Sequence, residues 1–174
     1  QSPYTQFIWL SLLEDTGQKF KVSGLKFNDR CEGETRNFEP GTLNPELSPY
    51  HVNGGGFMNT RDGLSATTNA TVAALAVKGQ LAGYKENEDV LYLHDLQDES
   101  GGFGASKASP VPDLLSTATS LFMLRCYGIK PKYPARDFIE AHWLDSGGFS
   151  ATLLDAVSDV EYTVYGLLAL GAAG

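Results

Sequence analysis

The chain has 174 residues, of which 42% are hydrophobic and 20% charged, with a formal net charge of −8. That length supports one domain with a sizeable core, and the composition is that of a folded globular protein. The acidic balance argues against nucleic-acid binding, which needs clustered Lys and Arg, and no apolar run approaches the ~20 residues of a membrane helix.

In chain order, the first expected element is a helix from Tyr4 to Thr16, stopped at Gly17. It reads as the tail of an earlier helical unit occupying 1–17. The chain begins at Gln1 without a leader pattern, which fits a processed or trimmed start. Residues 18–53 are polar, contain Pro40, Pro45 and Pro49, and read as an irregular insertion. A loop of that length is either functional or loosely ordered. Its KFKVSGLKF stretch (19–27) is the one segment resembling strand alternation.

From residue 54 to the end the pattern changes. Gly-Gly-Phe occurs three times, with its phenylalanine at positions 57, 103 and 149. Both intervals, 103 − 57 and 149 − 103, equal 46 residues. Equal spacing in this range marks repeated architecture. Each motif is followed by a small or polar start, an apolar stretch and a glycine: 64–79, 114–128 and 158–171. Gly79, Gly128 and Gly171 suit the left-handed position just past a helix end. Leu114, Ala118, Leu121 and Arg125 share a helical face, which Leu115 and Phe122 are expected to widen. Val164, Leu167, Leu168 and Leu170 predict a helix buried on several sides. Between units, 86–97 opens with acids and 134–144 opens with Pro134 at a first helical position, so both predict a second helix. The fold class expected is all-α, in helix-pair repeats.

Several residues carry bland readings. Cys31 and Cys126 have no ligand spacing and read as free or buried thiols, which weakly favours a reducing, cytoplasmic setting. Asn69-Ala70-Thr71 fits a glycosylation sequon, but Thr71 is expected inside a helix. His94 and His142 precede Gly-Gly-Phe at similar distances and read as packing residues of equivalent helices.

Gln97-Asp98-Glu99-Ser100-Gly101-Gly102-Phe103-Gly104 with the helix start at Asp113, and Ser158 to Gly171, resemble the repeat of protein prenyltransferase β subunits and terpene or squalene cyclases. The resemblance covers about residues 50–174. It implies an (α/α) toroid of inner and outer helices around a cavity for an isoprenoid. About three and a half units are present, part of a ring. A longer polypeptide, an open arc or two copies would each accommodate that. The partners implied are an apolar small molecule or a lipidated peptide, with a second chain or the rest of a longer chain completing the ring.

The resemblance also implies candidate chemistry. Asp159 aligns with the aspartate of the family's zinc-binding Asp-x-Cys pair, and Glu161 stands where the cysteine would be. Asp159 and Glu161 are therefore the metal candidates, with zinc or magnesium implied as cofactor by resemblance alone. Asp113 and Asp159 are the catalytic candidates, although no Asp-x-Asp-Asp acid motif occurs. Both lie ten residues after a motif phenylalanine, which equally suits a repeated helix cap. Ser158 and Glu161 also fit a capping box. Tyr162, Tyr165, Phe122 and Trp9 could line an aromatic cavity, and Arg61, Lys107 and Arg125 are the cations nearest the turns for a diphosphate. Two function classes stay open: an isoprenoid-handling enzyme or part of one, and a non-catalytic binding or assembly module.

Overall fold

A computed structural model describes residues 2–5, 47–79 and 88–174. Most of the expected 4–16 helix, the 19–27 stretch, Trp9, Cys31 and most of the 18–53 insertion lie outside the described residues. Among the described residues, five α-helices have both ends defined: α1 (Thr68–Gly79), α2 (Glu88–Asp95), α3 (Leu114–Cys126), α4 (Arg136–Glu140) and α5 (Val160–Ala173). A 3-10 turn, Ser48–Tyr50, precedes the first Gly-Gly-Phe. The described residues are mostly helical, and their only β-pairing is isolated bridges.

The helix starts follow from capping chemistry. Asp113 and Asp159 are extended, and their carboxylates accept the backbone N–H of Ser116 and Tyr162. A side-chain oxygen at this position satisfies one of the orphan donors of the first turn. The cap of α5 is thus Asp159, one residue later than the Ser158 capping box expected, because Asp159 holds the same place relative to Phe149 that Asp113 holds relative to Phe103. The end of α3 fits expectation. Gly128 has φ +69°, and the N–H of Ile129 donates to the Leu124 carbonyl at 2.9 Å. Gly171 does not end α5, which runs on to Ala173, and Gly79 is the last residue of α1 rather than the one beyond it. Pro134 falls outside α4, whose cap is Ala135, and the helix is only five residues long.

Helix α3 is central, packing against α1, α2 and α5. Helix α2 also meets α1, and α4 meets α5. The main core includes Phe103, Leu114, Ala118, Leu121, Leu124 and Ile139. A second cluster joins Phe57, Leu47 and Tyr50 to Ala70, Ala74 and Val77 of α1. Leu47 to Asn53 therefore belongs to the first turn rather than to the irregular insertion.

Candidate functional site: a recurring turn and the helix face it orders

Each motif phenylalanine sits between two bridges, one to the residue six before it and one to the residue ten after it. The triplets are His51–Phe57–Thr67, Gln97–Phe103–Asp113 and Trp143–Phe149–Asp159. The three rings are at most 2% exposed. Their backbone N–H groups donate to Thr71, Thr117 and Thr163 Oγ1 at 2.9, 2.9 and 3.2 Å. Each threonine hydroxyl donates in turn to the carbonyl four residues earlier, at 2.7 Å in all three places. The threonine is the residue that locks the turn onto the helix. An interior N–H is costly to leave unpaired, and threonine both accepts from it and satisfies its own proton. Thr71, the sequon threonine, is buried in this role inside α1. Thr117→Val keeps the shape but strands the Phe103 N–H. It is expected to cost about 1–3 kcal/mol, read as a lower denaturant midpoint.

The residue at the first bridge position differs between units. Gln97 donates to the Gly101 and Tyr133 carbonyls and accepts from the Tyr133 N–H at 3.1 Å. His51 takes a different route. Its Nε2 is 2.8 Å from the buried Asp89 carboxylate, which also accepts from the Gly56 N–H at 2.9 Å and pairs with Lys78 at 3.0 Å. Trp143 stacks edge-on to Phe149 at 5.2 Å. Sequence reading did not find the His51–Asp89–Lys78 group. Its signal was the aligned trio His51, Gln97 and Trp143, one position on three chemistries.

His94 and His142 are not equivalent. His142 occupies the register of Tyr50 and Leu96, since the carbonyls of all three accept the N–H of the residue after the motif phenylalanine. It is buried, with Nδ1 2.8 Å from the Phe138 carbonyl and its ring 4.6 Å from that of Phe138. Burial lowers its pKa from 6.5, opposed by the bond to Phe138 and by the Asp113 charge. A histidine held neutral in the fold takes up its proton more readily when unfolded. Its full stabilising contribution is present above the unfolded pKa of about 6.5 and declines as pH falls from there towards the lower folded value. His142→Gln is expected to flatten that part of the stability–pH curve, measured by denaturation at pH 7.5, 6 and 5.

Helices α1, α3 and α5 carry a set of matching positions off their most buried face. On α3 it comprises Leu115, Thr119, Phe122 and Cys126, spaced i, i+4, i+7, i+11. Phe122 is 42% exposed and Leu115 is half-buried, so the two do not widen the buried face but form a face of their own. The matching positions of α5 are Glu161, Tyr165, Leu168 and Ala172, the last three half-buried. On α1 they are Asn69, exposed, Ala73, buried, and Ala76, half-buried; Ala76, Tyr165, Leu168 and Ala172 also pack against the main core, so Phe122 is the large apolar side chain that stands out from it. Tyr162 lies beside Tyr165, rings 6.2 Å apart and edge-on. Both phenols are shifted upward, first by burial and then by the acidic groups around them, Glu161 among them.

The other candidates are scattered. Arg61 lies over the Tyr50 ring at 5.7 Å, and Lys107 over Tyr92 at 5.3 Å. Arg125 donates to the Gly171 carbonyl. Asp155 accepts from Thr152 in the turn before α5. Asp113 and Asp159 are near opposite numbers on neighbouring helices, each committed to its own cap. Among the described residues no group of three or more His, Cys, Asp or Glu is placed to hold a metal ion. Asp159 and Glu161 supply two carboxylates without a third described ligand, short of the three or four protein donors of a zinc centre. Among the described residues no helix is long and apolar enough to cross a membrane. No protein-family model matches the chain, and no curated protein matches it.

Proposed function

We propose that the chain is part of a prenyltransferase- or terpene-cyclase-like α/α toroid that holds an isoprenoid or similar apolar chain along α3 and its neighbours α1 and α5. The observation that supports this reading is the exposed Phe122 with half-buried Leu115 beside it on α3, next to Ala76, Tyr165 and Leu168, which are half-buried at the core's margin. A branched hydrocarbon offers no hydrogen bonds, so a site for it needs apolar and aromatic surface with few polar groups. Aromatic faces also stabilise positive charge if the ligand ionises. Burying a Phe side chain against such a ligand is worth about 1.5–3 kcal/mol, or roughly 10–100-fold in affinity. A fluorescent farnesyl-chain analogue is therefore expected to bind, and Phe122→Ser to weaken it at least about tenfold with the fold retained. Equal binding by both proteins would remove the reading.

The second reading is a binding module without chemistry. It is favoured by one observation: the two carboxylates best placed by resemblance, Asp113 and Asp159, spend an oxygen on backbone N–H groups. Asp159→Asn separates the readings, because asparagine also caps a helix but cannot supply an acid. With farnesyl diphosphate and added magnesium or zinc, product made by the native chain and lost in D159N supports catalysis. Ligand bound but never converted supports the module.

A further inference from the structure

The three Gly-Gly-Phe turns are closed alike. The N–H groups of Val52, Asp98 and Leu144 donate to the carbonyls of Gly56, Gly102 and Gly148. Those of Gly55, Gly101 and Gly147 donate back to the carbonyls of Val52, Asp98 and Leu144. Two residues stand at each tip: Asn53-Gly54, Glu99-Ser100 and Asp145-Ser146. The first tip alone joins a side-chain amide to a glycine, and Asn53 is the one asparagine of the chain that precedes glycine.

Such a pair has a chemistry of its own. The backbone nitrogen after an asparagine attacks the side-chain amide carbon, which is one source of the thermal lability of asparagine. The attack needs an N–H that no hydrogen bond holds, a small following residue, and freedom to rotate the peptide between the two. The first tip meets each need. Asn53 and Gly54 are exposed, and neither the Asn53 amide nor the Gly54 N–H has a partner among the described residues. A Cβ on Gly54 would meet nothing within 4 Å. Gly54 has φ +89° at the third position of the turn. Rotating the peptide plane before it leads to the common turn with negative φ there, and glycine accepts both signs. The bond from the Gly55 N–H to the Val52 carbonyl survives that rotation.

Elsewhere the fold withholds one requirement. The Ser100 N–H donates to Asp98 Oδ1 at 2.9 Å, and the Gly63 N–H, after Asp62, donates to the Thr60 carbonyl at 3.1 Å. Asn69 lies inside α1, and Asn59 precedes the β-branched Thr60.

We infer that Asn53 is a site of self-modification, where the folded protein deamidates almost as freely as an open chain. The Gly54 nitrogen gives its proton to a base in solution and bonds to Asn53 Cγ. The bond from Cγ to the amide nitrogen breaks, and ammonia leaves with a proton from water. Water then adds to one of the two carbonyls of the cyclic imide and opens it. One opening leaves aspartate, which gives this tip an acid as Glu99 and Asp145 give the others. The other leaves isoaspartate, whose main chain runs through the former side chain. That adds a methylene inside the loop closed by Val52 and Gly56, the loop that Asp89 holds through the Gly56 N–H. The inference does not depend on the ligand reading.

The test holds the intact protein in mildly alkaline buffer beside the same chain unfolded in guanidinium chloride. Peptides are mapped by mass spectrometry over time, and an isoaspartate-specific carboxyl methyltransferase is the probe for the second product. Conversion at position 53 of the folded protein is expected within about tenfold of the unfolded rate, because an exposed tip opens at almost no cost. A site that needed global unfolding would be slowed by on the order of a thousandfold or more. Asn59 and Asn69 are expected to stay intact meanwhile, and Asn53→Gln to abolish the reaction while the turn stays closed. An unconverted position 53 in the folded protein when the unfolded chain converts would overturn the inference. So would equal conversion at Asn59.

Discussion

Truncating Phe103 to alanine is expected to destabilise the protein by about 3–5 kcal/mol, the cost of emptying a fully buried aromatic site. Phe103 is 0% exposed and joins the main core, between the bridges to Gln97 and Asp113. Its loss removes contacts from α3 and from the turn at once. Phe122→Ala, only four positions from core residue Ala118, is expected to change stability by less than about 0.5 kcal/mol, because its ring stands out from the core. Denaturant unfolding of both variants gives the comparison. Similar costs for the two would contradict the division of α3 into a core face and an outward face.

The second large effect falls on glycine. Gly101 has φ +89°, where a side chain costs about 1–2 kcal/mol. Its added Cβ would also meet the Pro134 carbonyl and the Ala135 Cα, both backbone, so one segment must move. Overpacking of that kind adds about 1–3 kcal/mol. Gly147 has φ +92° with open space around it. Gly101→Ala is therefore expected to cost clearly more than Gly147→Ala in the described chain, the difference being the contact alone.

Much of the helical layout was legible in the sequence. The 46-residue spacing located the turns, and the acids ten residues after each later phenylalanine located two helix starts. These signals are local: a cap, a glycine, a periodic apolar run. What was not legible depends on neighbours in space. Phe122 and Leu115 carry the same hydrophobic signal as Leu121, yet only packing against α5 decides which of them is buried. Val164 and Leu167 read as core for the same reason, and stand exposed because nothing described lies over them. The threonine lock was hidden in plain composition, since Thr71, Thr117 and Thr163 share the spacing but nothing in a single chain marks a hydroxyl as structural. The His51–Asp89 contact joins residues 38 apart and follows from the turn closing, not from any motif.

An apolar chain held along α3 and its neighbours α1 and α5, as proposed, is visible in a titration of isotopically labelled protein with farnesyl diphosphate, followed residue by residue by NMR. Shift changes are expected to concentrate at Leu115, Phe122, Tyr165 and Leu168 and to saturate together. Changes confined to the Val160–Leu167 face, or none at saturating ligand, would contradict it.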